Sequence, residues 1–161
     1  MLDASTAVSW CFEEIQTPYA IGVLDAMSQG LHAHMPHIWP LEVTNALVKA
    51  FRRKHITRDE LFDYARQIAA FRPFVDLDQP AERAFDQVLA LAEGHQLTTY
   101  DASCLELAQR LGLPLATVDA NLVQAASAAR VEIFRPQISG RKVRANKKGS
   151  RTKPAIPACL A

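Results

Sequence analysis

The sequence contains no apolar run near the 18 or more residues that a bilayer-spanning helix needs. Met1 to Ser5 also lack the basic and apolar regions of a secretory signal, so a cytoplasmic domain with no membrane association is expected. Cysteine is scarce and odd in number: Cys11, Cys104 and Cys159 are far apart and form no C-x-x-C pair. A disulfide framework and a zinc site are thereby disfavoured, and the first two are expected to be small buried apolar residues. Acid is missing from one region altogether. Residues 135–161 hold 8 Lys and Arg and no Asp or Glu, whereas residues 1–134 hold 10 Lys and Arg against all 17 acids, a net of −7. The overall charge of +1 hides an acidic body and a basic tail.

What is present is ordinary for one packed domain: 161 residues, 49% hydrophobic and 22% charged. Short apolar runs alternate with longer helical patterns, which predicts an α/β fold with a short, mainly parallel central sheet and several helices. Leu2-Asp3 reads as the end of a very short first strand. Thr6 to Phe12 reads as a short helix capped by Ser5 or Thr6, and Thr17-Pro18 as the start of a longer one closing near Gly30. Leu31 to Met35 reads as a second strand. Leu41, Val43, Ala46, Leu47 and Ala50 recur at helical spacing, and Thr57 with Glu60 forms a capping-box pattern before another amphipathic helix.

Val75 to Leu77 is a candidate strand, and a helix from Gln79-Pro80 is expected to end at Gly94. A helix over Tyr100 to Leu111 closes at Gly112, followed by a strand at Leu113 to Val118, a helix at Asn121 to Ala129 and a strand at Val131 to Phe134. Residues 1–135 are therefore expected to form the domain, and 136–161 a disordered basic tail.

Four acids stand apart from those on polar helix faces. Asp3 follows the first strand, Asp101 opens a helix, Asp119 ends a strand, and Glu42 lies among apolar helix positions. Strand-to-helix junctions of a parallel sheet are where such folds gather functional groups. Carboxylates brought together repel one another unless a cation joins them, and oxygen donors favour Mg²⁺, with Mn²⁺ possible, over zinc. Taken singly, each acid has a structural explanation: Asp101 and Asp119 as helix N-caps, Asp3 as a strand-end residue, and Glu42 as an early-helix acid complementing the dipole.

The words around these acids resemble the PIN-domain family, in its VapC toxin branch. They are Leu2-Asp3-Ala4-Ser5, Leu41-Glu42-Val43-Thr44-Asn45-Ala46-Leu47, Leu97-Thr98-Thr99-Tyr100-Asp101-Ala102 with Leu105-Glu106-Leu107-Ala108, and Leu115-Ala116-Thr117-Val118-Asp119. The resemblance covers residues 1–135 in order, and the segment around Tyr100-Asp101-Ala102 is its most specific part. It implies a three-layer α/β/α PIN-like fold and a Mg²⁺-dependent endoribonuclease of a toxin-antitoxin system acting on structured RNA. It further implies a cognate antitoxin that occludes the site, and a homodimer.

Position by position, Asp3, Glu42, Asp101 and Asp119 match the family's metal-binding acids, and Ser5, Asn45 and Thr117 match its accessory polar positions. Those three are placed to hydrogen-bond the carboxylates and orient them. Two departures stand out: only Met1 and Leu2 precede Asp3 where relatives carry a longer apolar run, and Ala120-Asn121 follow Asp119 where relatives often carry basic residues.

Other features have plain readings. His32, His34 and His37 suit a solvated strand end as well as a metal. Arg52, Arg53 and Lys54 suit a helix C-terminus as well as RNA phosphates. Trp10, Phe12, Trp39 and Phe51 are expected in the core or at a subunit contact. A non-catalytic RNA-binding or regulatory module using the basic tail is the competing function, and a DNA nuclease a third.

Overall fold

The computed structural model describes residues 1–78 and 80–137. The expected basic tail beyond residue 137, with Cys159, and the expected helix start at Gln79 lie outside the described residues.

The sheet is assembled from very short segments. Strand β1 (His34–Pro36) pairs in parallel with β2 (Phe74–Asp76), His34 opposite Phe74. The Leu2 N–H donates to His34 O, Leu2 forms a parallel bridge with Ala116, and Leu115 forms one with Ile133. The array therefore runs 74–76, 34–36, 1–3, 115–117, 132–134, with the Leu2-Asp3 segment at its centre.

Side chains alternate across this array as a pleated strand requires. Met1, Leu115 and Ile133 pack in one core with Leu105, Leu107, Leu122 and Ala126, while Leu2, Ala116 and Phe134 pack in the other with Trp10, Val23, Met35 and Leu47. Two cores on opposite faces of one sheet give three layers, α/β/α.

The first layer holds α1 (Ala4–Ser9), α2 (Pro18–Ser28), α3 (Trp39–Arg52) and α4 (Arg58–Ala70). The Thr17 side chain accepts from Ala20 N at the start of α2, with Pro18 at the first helical position. Thr57 and Glu60 close the capping box of α4 reciprocally. Along α3, Val43, Leu47 and Ala50 are buried at helical spacing.

The second layer holds α5 (Ala81–Arg83), a wider π-helical segment over Ala84–Val88, α6 (Leu89–His95), α7 (Thr99–Leu111) and α8 (Ala120–Ala128). Gly112 ends α7 in the left-handed conformation (φ +61°), a backbone state that favours glycine.

Several expectations need correction. The first helix begins at Ala4, not Thr6, with Asp3 rather than Ser5 or Thr6 at the cap position. Gly94 lies inside α6, which ends one residue later where Gln96 takes the left-handed turn (φ +55°). The second strand starts only at His34, and Leu113–Val118 and Val131–Phe134 pair at single residues, because the neighbouring segments are too short to extend the ladder. Trp10 and Trp39 are buried and Phe12 packs against the core, but Phe51 is 39% exposed. His32 and His34 face the Phe74 ring. Cys11 and Cys104 are buried free thiols as expected. No helix among the described residues is long and apolar enough to cross a membrane.

Candidate active site

The parallel pairing of Leu2 with Ala116 sets Asp3 beside Thr117, and alternation turns both toward the α7 layer. Asp3 is 3% exposed. Its Oδ2 accepts from Thr117 Oγ1 at 2.8 Å and from Ser5 Oγ. These bonds explain why Asp3 stands at the cap of α1 without capping it. They also explain why Ser5 lies within the first turn instead of before it. Burial nevertheless pushes the Asp3 carboxyl above its ordinary range, with the charge of Asp101 adding to the rise; the two hydroxyls pull the other way.

Asp101 enters from the first turn of α7. Thr98 Oγ1 donates to its Oδ2 at 2.7 Å and accepts from its backbone N–H at 3.1 Å. Sequence reasoning passed over Thr98 as a site residue, although Thr98-x-x-Asp101 has the spacing of a capping box. Glu42 enters from the first turn of α3 on the opposite layer. Burial, then the charges of Asp3 and Asp101, push its carboxyl up to about 7. Its Oε2 is buried without a hydrogen-bond partner. Below them, the fully buried Cys104 thiol is raised well above its usual range by burial and by Asp3, Glu42 and Asp101 together.

Three of the four acids therefore share one electrostatic site. Asp119 is placed differently: its Oδ1 caps α8 through Leu122 N at 2.9 Å, and its own N–H donates to Thr117 Oγ1 at 3.0 Å. Thr117 thus links Asp119 to Asp3. Asn45 is exposed and makes no hydrogen bond to these carboxylates, unlike the role expected for it; Ser5 and Thr117 do make theirs.

A hard divalent cation fits this donor set. The candidate donor atoms are carboxylate oxygens, one of them, Glu42 Oε2, is buried and without a hydrogen-bond partner among the described residues, and the charges that perturb Glu42 are other carboxylates. Among the described residues no group of three or more His, Cys, Asp or Glu is arranged to hold an ion.

The sequence profile of the PIN domain matches residues 1–128. The chain belongs to the PIN domain family. Among curated proteins, this PIN domain is similar to Ribonuclease VapC3 of Pyrobaculum aerophilum, 32% identical over 99 residues, or 62% of this chain and 75% of the relative. Among solved structures it is similar to the crystal structure of PAE2754 from Pyrobaculum aerophilum. That likeness has a TM-score of 0.55 and 25% identity, and covers 77% of this chain and 82% of the other. The three-layer PIN fold expected from the sequence is the fold observed.

Proposed function

We propose that this PIN domain is a Mg²⁺-dependent endoribonuclease, the toxin of a toxin-antitoxin pair, hydrolysing phosphodiester bonds in structured RNA. The observation that carries this reading is that Glu42 feels the charges of Asp3 and Asp101, and Asp3 that of Asp101, with no Lys or Arg side chain among the charges acting on them. The ribonuclease name of the similar Pyrobaculum protein supports it.

Asp3, Glu42 and Asp101 would hold the metal, with Asp119 completing the set. When bound, Mg²⁺ or Mn²⁺ would supply charge to the phosphate and lower the pKa of a water. The chain's own contribution is positioning. Ser5 and Thr117 fix one oxygen of Asp3, Thr98 fixes one of Asp101, and the α8 cap fixes one of Asp119. Glu42, with no hydrogen bond on Oε2 among the described residues, is the adjustable member, its carboxyl pushed up to about 7. A basic antitoxin segment would be attracted to the same acids, and a homodimer follows from the family resemblance.

The test is cleavage of a panel of structured RNAs with Mg²⁺ and with EDTA. Cutting should require the metal and fall at least ~10³-fold in Asp101→Asn, about 4 kcal/mol of transition-state stabilisation. Wild-type rates in that variant would refute the assignment. RNA binding without any product would favour the non-catalytic module, and preference for DNA in direct competition would favour the DNA nuclease.

A further inference from the structure

Residues 1–137 contain 11 Lys and Arg, of which Arg66, Arg83 and Arg110 form ion pairs. Five of the other eight fall within one short stretch: Lys49, Arg52, Arg53, Lys54 and Arg58. The acids in that neighbourhood are Asp59 and Glu60 in the first turn of α4, and Glu60 is engaged in the capping box. Among the described residues none of these five has an ion-pair partner, and a concentration of positive charge thus sits at one corner of an otherwise acidic body.

Its position relative to the candidate active site is set by α3. Glu42, Asn45, Lys49 and Arg52 follow one another at i, i+3, i+7 and i+10, within one narrow stripe of the helix. Asn45, Lys49 and Arg52 are exposed, while the buried face is carried by Val43, Leu47 and Ala50. At 1.5 Å per residue, Lys49 stands about 10 Å and Arg52 about 15 Å from Glu42 along the helix. These cations do not neutralise the site, since the charges that perturb Glu42 are Asp3 and Asp101.

Helix-dipole complementation accounts for Lys49 and Arg52 in the last turn of α3, but not for the rest. Lys54 occupies a left-handed position (φ +61°) that favours glycine, and Arg58 stands at the N-terminus of α4, where the dipole disfavours a cation. Arg58 lies 5.6 Å from the centre of the Phe62 ring, which is 50% exposed, and Phe51 is exposed in the last turns of α3. Cations beside exposed aromatic rings are the composition of a surface that follows a single-stranded nucleic-acid backbone and stacks its bases.

We propose that the exposed stripe of α3 and the α3–α4 turn form the substrate track, leading the RNA backbone from the acidic site past Asn45 to Lys49, Arg52, Arg53, Lys54 and Arg58. This rests on the ribonuclease reading, and it assigns Asn45 to contact the RNA rather than the carboxylates.

The test uses the full chain and a fluorescently labelled single-stranded 20-nucleotide RNA. Anisotropy titrations run in EDTA, at several salt concentrations, for wild type and for a Lys49→Ala, Arg52→Ala, Arg53→Ala, Lys54→Ala variant. Loss of four phosphate contacts should flatten the slope of log K against log salt by about 3, at roughly 0.7 per cation. The Kd should rise at least tenfold. With Mg²⁺ and a structured RNA that the wild type cuts, the variant should raise KM and leave kcat near wild type, whereas Arg72→Ala, at a cation outside this stretch, should change neither. An unchanged slope and KM in the quadruple variant, or an equal loss in Arg72→Ala, would overturn the track while the nuclease stands. Binding that depends on the four cations without any cleavage would sink the nuclease and keep the track. Tighter binding of poly-glutamate than of RNA at matched charge would overturn it in favour of an acidic protein partner, and failure of the wild type to bind RNA at all would overturn it outright.

Discussion

Helix α7 carries two sets of carboxylates, and they are treated in opposite ways. Toward its N-terminus Asp101 meets Asp3 and Glu42, whose carboxyls are pushed upward by burial, with the charge of Asp101 adding to both and that of Asp3 to Glu42. Five residues later, and well round the helix, Glu106 is 6% exposed. Its Oε1 accepts from Arg110 Nε at 2.9 Å and lies 3.7 Å from Arg83 Nε. Arg110 also pairs with Asp76 at the end of β2. Glu106 Oε2 lacks a partner, as Glu42 Oε2 does, but its charge is offset by two guanidinium groups. A fold able to neutralise one buried acidic set with its own arginines leaves the other bare. The first set ties β2 to α7, and the second is left for something from outside.

The sharpest way to break this comparison is to exchange the expected phenotypes. Asp101→Asn should abolish RNA cleavage and leave the stability of the metal-free protein unchanged or higher, because it removes a repulsive charge. Arg110→Met should do the reverse. It strands Asp76 and Glu106, and because Arg110 is only partly buried the cost is set below that of a fully buried pair, at about 2–3 kcal/mol. Urea unfolding and a cleavage assay on both variants decide the matter. Loss of stability in Asp101→Asn, or full stability in Arg110→Met, would mean that the two sets have been assigned to the wrong roles.

A smaller effect separates the accessory hydroxyls. Thr117→Val keeps the shape of the strand but takes a hydrogen bond from Asp3 and one from the Asp119 backbone. The loss is about 1–1.5 kcal/mol, or roughly tenfold in activity. Because the hydroxyl holds the Asp3 carboxyl down, its removal should shift the acid limb of the activity profile to higher pH. Ser5→Ala should act in the same direction. Asn45→Ala should leave that limb in place, since Asn45 makes no bond to these carboxylates. A shift in Asn45→Ala equal to that in Thr117→Val would overturn this division.

The elements with strong local chemistry were legible from sequence. Thr17-Pro18, the Thr57–Glu60 capping box and the α7 terminus at Gly112 are observed where expected. Strand extents were not. Single-residue bridges at Leu2, Ala116 and Ile133 have no periodicity to detect, and their pairing is decided by tertiary packing. At the site, the acids and the Asp3 hydroxyls were visible as motifs. The pairing of Asp76 with Arg110 was not, because it joins residues far apart in the chain, although Glu106 and Arg110 stand at i, i+4 in the sequence. The exposure of Phe51 was likewise hidden, since its place in an apolar helix pattern gave no sign of the side it faces.

The smallest effect is on stability and its sign discriminates best. The Glu42 carboxyl has an ordinary pKa of 4.5 and is raised to about 7 in the folded chain. The native state therefore holds that proton more tightly than the unfolded state. Its contribution to stability is fully present below pH 4.5 and is lost as pH rises from there to about 7. Asp3, raised as well, contributes with the same sign. Glu42→Gln removes the titrating group, so it should equal wild type in acid and exceed it above pH 7 by about 1 kcal/mol, a few degrees in Tm. The difference between the two proteins across pH reports Glu42 together with its coupling to Asp3 and Asp101, and cancels titrations elsewhere. Mg²⁺ in excess should narrow the gap at pH 8 by binding the native wild type, which keeps the charge that Gln lacks. If Glu42→Gln is less stable than wild type at pH 8 without metal, the carboxylate is held by the fold after all, and the contrast with Glu106 disappears.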